Sequence, residues 1–518
     1  MAELALQADK QPARRSTIYD LQSAITLLLL LLASVAISVA AAVKFNTMGF
    51  DLAFYQQAVW NTLHGQPWAV SATEFSSTLL GTDLIISPII LSLPFYALFP
   101  SPLTLLVLQA VVTCLGGLAV YLIARRSLGG WWGLGLAILY LLYLPVQNAA
   151  LTESAFRPFA ATGLLFCIYF FEGRRWRLFW LAAIFTLLVR SELGLVLAAY
   201  GLYTLLEREP PPTGRLNLID SANSGLPAFL PVERWRHSLG LFVVGLAWFF
   251  AASLLIVPAF AGGRLVVAQD AYGALGSSLG AVAGSLISNP LNLFANHSLA
   301  EVVTYLLQLL LPLAFLPLLR PLRLLPALPA LLLNILSRRS VQLRAWHSYY
   351  QVFIAVFFIY ALIGVLADLR EGRGWWRRLP PDRRPHLAAA GLAIAFIITV
   401  GLNVGLGVTQ ESEVLANLRG LNATAKWQAA SPLIAQVPAD APLAVGNALA
   451  PHVAPRAGLW LAQSDQHYAL DPLAKADYLL LDTNYGEPKQ QTVLAQAKAD
   501  PAWQLLDQRA GYALYKRK

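Results

Sequence analysis

Long apolar runs separated by short basic segments repeat along most of the chain. The runs lie at about 21–43, 103–124, 131–147, 158–171, 239–261, 299–319, 324–337, 350–368 and 387–408. A helix of about 20 apolar residues spans a bilayer. The pattern predicts an α-helical polytopic membrane protein with about 10–12 membrane helices, one pair of which is short.

Basic segments between the runs predict which connections face the cytoplasm, because Lys and Arg accumulate on that side. They are "ARRS" (124–127), "EGRRWR" (172–177), "ERWRH" (233–237), "RPLR" (320–323) and "REGRGWWRRLPPDRR" (370–384). The resulting topology has a cytoplasmic tail (1–20), a multi-pass domain in the plasma membrane (21–408) and an extracytoplasmic region (409–518).

The stretch "LFWLAAIFTLLVRSELGLVLAAYGLYTLL" (178–206) is apolar except for Arg190 and Glu192 at its centre. Both flanks favour the cytoplasm, and each half has only about 12–14 residues, or about 18–21 Å as a helix. We predict a hairpin of two short helices with Arg190 and Glu192 at its tip. Ionisable residues at membrane depth are candidates for a functional site.

The first outer loop (44–102) contains a second group of polar residues. Its apolar positions between 50 and 63 recur at helical spacing, with Asp51, Gln56, Gln57 and Asn61 between them. This pattern predicts an amphipathic helix in the membrane interface. Residues 84–99, with Pro88 and Pro94, predict a second interfacial helix that is too short to cross. Asp51 lies where a carboxylate could act as a general base or metal ligand.

A cationic segment breaks the positive-inside pattern. Arg338, Arg339 and Arg344 in "LSRRSVQLRAWHSYYQ" (336–351) fall on the outer side, with His347, Tyr349 and Tyr350 nearby. Guanidinium groups bind phosphate through paired, charge-assisted hydrogen bonds. The segment therefore predicts an anion site, with an error in the assigned topology as the alternative.

Composition agrees with a membrane protein: of 518 residues, 57% are hydrophobic and only 13% charged. The net charge is +9, but residues 409–518 contain ten Lys or Arg and ten Asp or Glu, so the surplus lies in the membrane part. This favours a topology signal over nucleic-acid binding. The tail alternates strand-like segments such as "ADYLLLDT" with the helix-like "QQTVLAQAKAD", which predicts a small α/β domain.

Three segments resemble a bacterial and archaeal family of predicted membrane proteins called domain of unknown function 2079. They are "FDLAFYQQAVWNTLHGQPW" (50–68), "SPIILSLPFYALFPSPLTLLVLQAVVTCLGGLAVYLIARR" (87–126) and "ADYLLLD" (476–482). That family is distantly similar to GT-C glycosyltransferases, which take a sugar from a polyprenyl-phosphate carrier. The resemblance implies Asp51 as catalytic base and later basic residues as phosphate contacts.

The chain departs from the family pattern at several positions. The family has Phe-His-Pro-Glu where this chain has Phe156, Arg157, Pro158 and Phe159, and it has Lys-Glu-Asp at 190–192. A His that precedes Ser-Pro is also absent before Ser87. The resemblance then leaves Arg157, Arg190 and Arg338 or Arg339 to bind phosphate and Glu192 to orient Arg190 or accept a sugar hydroxyl. It leaves a divalent metal as an open alternative.

The predicted activity is transfer of a sugar from a polyprenyl-phosphate donor to an extracytoplasmic acceptor. One alternative is a non-catalytic protein that binds a lipid phosphate or anchors an envelope complex. Another is a transporter of a lipid-linked substrate, although no inverted repeat is visible in the order of apolar runs. A nucleotide-sugar enzyme is disfavoured because no glycine-rich phosphate-binding loop occurs at a strand-to-helix junction.

Overall fold

A computed structural model describes the chain over residues 49–71, 76–151, 156–207, 232–262, 271–276, 278–405, 423–462, 471–484 and 488–518. The predicted N-terminal tail (1–20) and the first predicted membrane helix (21–43) lie outside these ranges.

The described membrane part is helical. Its helices are α1 (Phe54–Leu63), α2 (Ser87–Leu98), α3 (Pro102–Leu128), α4 (Gly130–Leu142), α5 (Leu144–Leu151), α6 (Arg157–Glu172), α7 (Trp176–Leu187), α8 (Leu193–Leu206), α9 (Val232–Ala251), α10 (Val257–Phe260), α11 (Leu279–Ser288), α12 (Leu299–Leu310), α13 (Leu328–Leu336), α14 (Val352–Glu371) and α15 (Arg383–Gly405).

Within the described residues, four helical segments are long and apolar enough to cross a membrane. They are Pro102–Leu128, Glu233–Phe260, Val352–Arg378 and Arg383–Val404. The count is five if α4 and α5, which are bent by 65° relative to each other, form one span. The predicted class, an α-helical polytopic membrane protein, is confirmed.

Two of the predicted membrane runs are broken rather than continuous. The run at 299–319 contains α12 and then the 3₁₀ turns Leu311–Leu313 and Leu316–Leu319, and the run at 324–337 begins in the 3₁₀ segment Pro321–Ala327. Pro312, Pro317, Pro321 and Pro326 recur through this stretch. A proline removes a backbone donor and interrupts a regular helix beyond its first turn. Each of these runs therefore forms short helical segments instead of one regular membrane helix.

Helix α14 is the centre of the membrane part, since every residue from Val352 to Leu369 is buried. Helix α7 packs along α6, whereas α8 packs along α9. Gly194 of α8 and Gly245 of α9 allow that close approach, because a Cβ on either would lie 2.5 Å from the carbonyl oxygen of the other. Small residues have this role in many membrane helix pairs.

The C-terminal region forms a small α/β domain, as predicted. Its helices are α16 (Ala423–Ile434), α17 (Ala450–Val453), α18 (Pro472–Lys475) and α19 (Pro488–Ala499). Its strands are β1 (Leu443–Val445), β2 (Leu459–Leu461), β3 (Tyr478–Asp482), β4 (Trp503–Arg509) and β5 (Tyr512–Arg517), in the order β2-β1-β3-β5-β4. β1 pairs in parallel with β2 and β3, whereas β5 is antiparallel to β3 and β4.

This domain packs directly on α1. The Gln57 side-chain amide donates to the carbonyls of Arg456 (3.1 Å) and Ala457 (2.9 Å), and Ser71 Oγ accepts the N–H of Leu459 at 2.9 Å. Ala53, just before α1, belongs to the apolar core of the domain.

The polar residues of α1 are not exposed at an interface as their spacing suggested. Gln56 and Gln57 are fully buried, and Asn61 is nearly so. Gln56 donates to the Tyr96 hydroxyl at 2.9 Å, and Asn61 donates to the Ala69 carbonyl at 2.8 Å. These side chains therefore join α1 to its protein neighbours.

Candidate functional site

Asp51 lies in a π-helical turn, Gly49–Ala53, immediately before α1. Its Oδ2 accepts a hydrogen bond of 2.8 Å from the hydroxyl of Tyr349, in the loop that precedes α14. Burial raises the pKa of the Asp51 carboxyl above its ordinary value. The Tyr349 hydrogen bond and the positive charges of Arg157, Arg190 and Arg339 oppose that shift. The carboxylate is thus more basic than an exposed one and is surrounded by cations.

Arg157 begins α6 and is only 5% exposed. Its Nη1 donates to Glu192 Oε1 at 3.2 Å, and its guanidinium carbon lies 4.4 Å from the ring centroid of Tyr350 and 5.4 Å from that of Phe353. Its Nε is buried and has no hydrogen-bond partner among the described residues. Aromatic faces favour a nearby cation, and a buried unpaired donor is costly. Arg157 therefore retains a donor that an anionic ligand could satisfy.

Arg190 connects two carboxylates at the break between α7 and α8. Its Nη2 lies 2.8 Å from Asp83 Oδ2, and its Nε donates to Glu192 Oε1 at 3.1 Å. Asp83 Oδ1 in turn accepts the N–H groups of Ser191 (3.0 Å) and Leu84 (2.7 Å). These bonds explain how two ionisable residues are accommodated inside an otherwise apolar stretch.

The break itself is stabilised by the start of α2. The carbonyl of Leu188 accepts the N–H of Ile86 at 2.8 Å and of Ser87 at 3.0 Å. Irregular backbone at membrane depth is tolerated where protein groups satisfy its hydrogen bonds. The tip of the short-helix pair is therefore held between the start of α2 and the core of the protein.

The structure brings together some of the residues predicted for the site. Asp51, Arg157, Arg190 and Glu192 form one cluster, and the charge of Arg339 acts on Asp51. The remaining predicted residues, Arg338, Arg344 and His347, have exposed side chains on the loop that carries Tyr349.

Asp83 was not among the residues that the sequence predicted for the site. The structure shows that Asp83 is only 8% exposed and paired with Arg190. The available signal in the sequence was an acidic residue shortly before an apolar helix. Its partner, Arg190, is distant in sequence, so the sequence does not indicate the pairing.

The sequence left a divalent metal open as an alternative. Over the described ranges, no group of three or more His, Cys, Asp or Glu side chains is arranged to hold a metal ion. The carboxylates of Asp83 and Glu192 are both engaged by Arg190.

The arrangement of helices is that of a polytopic membrane protein with a GT-C-like fold. The structure of ArnT from Cupriavidus metallidurans bound to undecaprenyl phosphate is similar to this chain with a TM-score of 0.54 and 14% identity, over 95% of this chain and 97% of that one. The apo state of the same protein gives a TM-score of 0.51 and 14% identity, over 95% and 98% of the two chains. At this identity the likeness concerns the fold alone.

The chain belongs to the family described as predicted membrane protein (DUF2079), which it matches over residues 41–515. No curated protein sequence matches the chain significantly.

Proposed function

We propose that the protein is a glycosyltransferase that moves a sugar from a polyprenyl-phosphate donor to an extracytoplasmic acceptor. The observation that carries the proposal is the position of Asp51, a half-buried carboxylate beside Tyr349 and near three guanidinium groups. The GT-C-like fold and the undecaprenyl phosphate bound to the related ArnT structure support the class of donor.

Asp51 acts as the general base in this proposal. Its carboxylate removes the proton of an acceptor hydroxyl, whose oxygen then attacks the anomeric carbon of the donor sugar. The bond between that carbon and the phosphate oxygen breaks, so the lipid phosphate leaves with the electron pair. A raised pKa suits this role, because a more basic carboxylate takes up a proton more readily.

Negative charge grows on the leaving phosphate, and nearby cations stabilise it. Arg157 suits this role because it is buried and its Nε has no partner among the described residues. Arg339 is the second contact, since its charge already acts at Asp51. Arg190 is engaged by Asp83 and Glu192, so we assign it to positioning rather than to direct phosphate binding.

The remaining predicted cations do not contact the phosphate directly in this proposal. Arg338, Arg344 and His347 have exposed side chains on the loop that carries Tyr349. We assign them to attraction of the anionic donor towards the membrane surface, where exposed charges act at longer range.

The test is a transfer assay with the purified full chain in detergent and polyprenyl-phosphate-linked hexose and pentose donors carrying labelled sugars. Asp51→Asn should lower release of label from the lipid by about 10²- to 10⁴-fold, the usual loss on removing a general base. Donor binding should persist. Asp382→Asn, which changes an exposed carboxylate outside the cluster, is the matched control.

Two results would contradict the proposal. Equal release by Asp51→Asn and wild type would remove Asp51 from catalysis. Wild type could instead bind the lipid phosphate without transferring sugar, and Arg157→Gln could lose that binding. This pair of results would favour a non-catalytic lipid-phosphate-binding protein.

A further inference from the structure

A polar pocket lies apart from the Asp51 cluster. Its charged lining residues are Arg126, Arg320, Arg323, Arg373, Glu172 and Asp368. Glu172 ends α6, which begins at Arg157, and Asp368 lies in the last turn of α14, which begins near Phe353. The pocket is therefore at the opposite end of the same helices from the Asp51 cluster. The positive-inside pattern predicts that this end is cytoplasmic.

Most cations of the pocket already have acidic partners. Arg320 Nε donates to Asp368 Oδ2 at 2.6 Å, and Arg323 Nε donates to Glu207 Oε1 at 3.4 Å. Arg373 pairs with Glu371. These pairs stabilise the end of the bundle and leave little free charge.

Arg126 differs from them. Its guanidinium lies 3.9 Å from the ring centroid of Tyr169, and its Nη1 donates to the Tyr169 carbonyl at 2.7 Å. No carboxylate of the described chain forms an ion pair with it. Gly173 leaves room for this guanidinium, because a Cβ there would lie 2.7 Å from Arg126 Nη2. Arg126 is thus a positioned, exposed cation at the pocket edge.

Asp368 supplies a complementary acceptor. The residue is 9% exposed, and its buried Oδ1 has no hydrogen-bond donor among the described residues. Arg373 Nη1 is 4.0 Å away, which is too far for a hydrogen bond. A buried carboxylate oxygen without a donor is costly, so a ligand that brings an O–H or N–H group would be favoured there.

Apart from Ser127, the rest of the lining is apolar. Ile123 and Ile363 are both buried at 3% exposure and line the pocket beside Ala367 and Gly364. A free phosphate ion would gain nothing from such a wall, whereas the first carbons of a lipid would bury apolar surface against it.

We propose that this pocket binds a phospholipid headgroup that combines a phosphodiester with a hydroxyl or ammonium donor. A phosphate oxygen accepts from Arg126, the headgroup donor reaches Asp368 Oδ1, and the glycerol backbone lies along Ile123 and Ile363. Phosphatidylglycerol and phosphatidylethanolamine have both groups. Phosphatidylcholine has the phosphate but lacks an O–H or N–H donor.

Native mass spectrometry of the detergent-purified full chain with the three lipids in equal amounts tests the proposal. Phosphatidylglycerol and phosphatidylethanolamine should be retained in preference to phosphatidylcholine. Arg126→Gln should weaken retention about 10- to 100-fold, the usual value of a charge-assisted hydrogen bond. Gly173→Ala should weaken it as well, because it displaces the guanidinium without changing the charge. Asp368→Asn should reduce the preference over phosphatidylcholine.

Arg125→Gln is the matched control, since it removes a neighbouring arginine of α3 that does not line the pocket. Equal retention by Arg126→Gln and Arg125→Gln, in variants that elute as wild type does, would overturn the proposal. So would equal binding of the three lipids by wild type. Calorimetry with inorganic phosphate tests whether the ligand is free phosphate instead of a lipid. Saturable phosphate binding that depends on Arg126, without lipid preference, would make this a site for free phosphate. None of these measurements depends on sugar transfer.

Discussion

The carboxylate of Asp83 and the guanidinium of Arg190 form an ion pair with 2.8 Å between Oδ2 and Nη2. The pair joins the segment before α2 to the break between α7 and α8 and is largely buried. Its partners are far apart in sequence, so it forms only when the membrane helices have assembled.

Asp83→Asn should destabilise the protein, because it leaves Arg190 with Glu192 as its remaining acidic partner. Removal of one member of a buried ion pair costs about 3–5 kcal/mol. Unfolding of the detergent-solubilised chain by added sodium dodecyl sulfate provides the measurement. Asp83→Asn combined with Arg190→Gln should cost less than the sum of the single changes. Strict additivity would show that the pair contributes no coupling energy.

Tyr349→Phe removes the hydrogen bond that Asp51 accepts while keeping the aromatic ring. That bond opposes the rise in the Asp51 pKa, so its loss should raise the pKa further. A base must be deprotonated to act, so the acidic limb of the pH profile for sugar transfer should move to higher pH. Tyr350→Phe changes the neighbouring ring, which stacks on Tyr349, and serves as control. An unchanged limb in Tyr349→Phe would argue against Asp51 as the titrating base.

Asp51→Asn should stabilise the protein at neutral pH. Burial raises the Asp51 pKa in the folded state. At pH values between the ordinary pKa and the raised one, the folded state therefore binds more protons than the unfolded state. Stability therefore falls as pH rises through that window, and the cost persists above it. The apparent melting temperature of Asp51→Asn should exceed that of wild type at pH 7, and the difference should shrink towards acidic pH. A lower melting temperature at pH 7 would contradict this account.

Ser71→Ala should loosen the contact between the C-terminal domain and α1. Ser71 Oγ accepts the Leu459 N–H and donates towards the carbonyls of Ala457 and Leu459. A hydrogen bond contributes about 0.5–1.5 kcal/mol, so hydrogen exchange at Leu459 should accelerate roughly 2- to 10-fold. Ser340→Ala, in an exposed turn outside this contact, should leave the exchange rate unchanged. Equal exchange in both variants would show that the contact does not protect Leu459.

The period and length of the apolar runs determined much of the fold. They predicted a polytopic helical protein, the short helices on either side of Arg190 and Glu192, and an α/β tail. Burial of apolar residues in a bilayer imposes that signal locally, so it can be recognised in one sequence. The interrupted runs around α12 and α13 were predicted less well, because apolar content dominates the pattern even where proline prevents a regular helix.

The candidate site was only partly visible in the sequence. Arg190 and Glu192 stood out because ionisable groups are rare inside apolar runs. Asp51 stood out in the polar loop before α2, and Arg157 was named only through the family resemblance. Their arrangement, the burial of Asp83 and the bond between Tyr349 and Asp51 were decided by tertiary structure alone. A side-chain contact depends on where distant helices bring two groups, and that position depends on packing across the whole bundle. The sequence by itself thus determined the helical membrane class and which charges are unusual, whereas packing determined which charges meet.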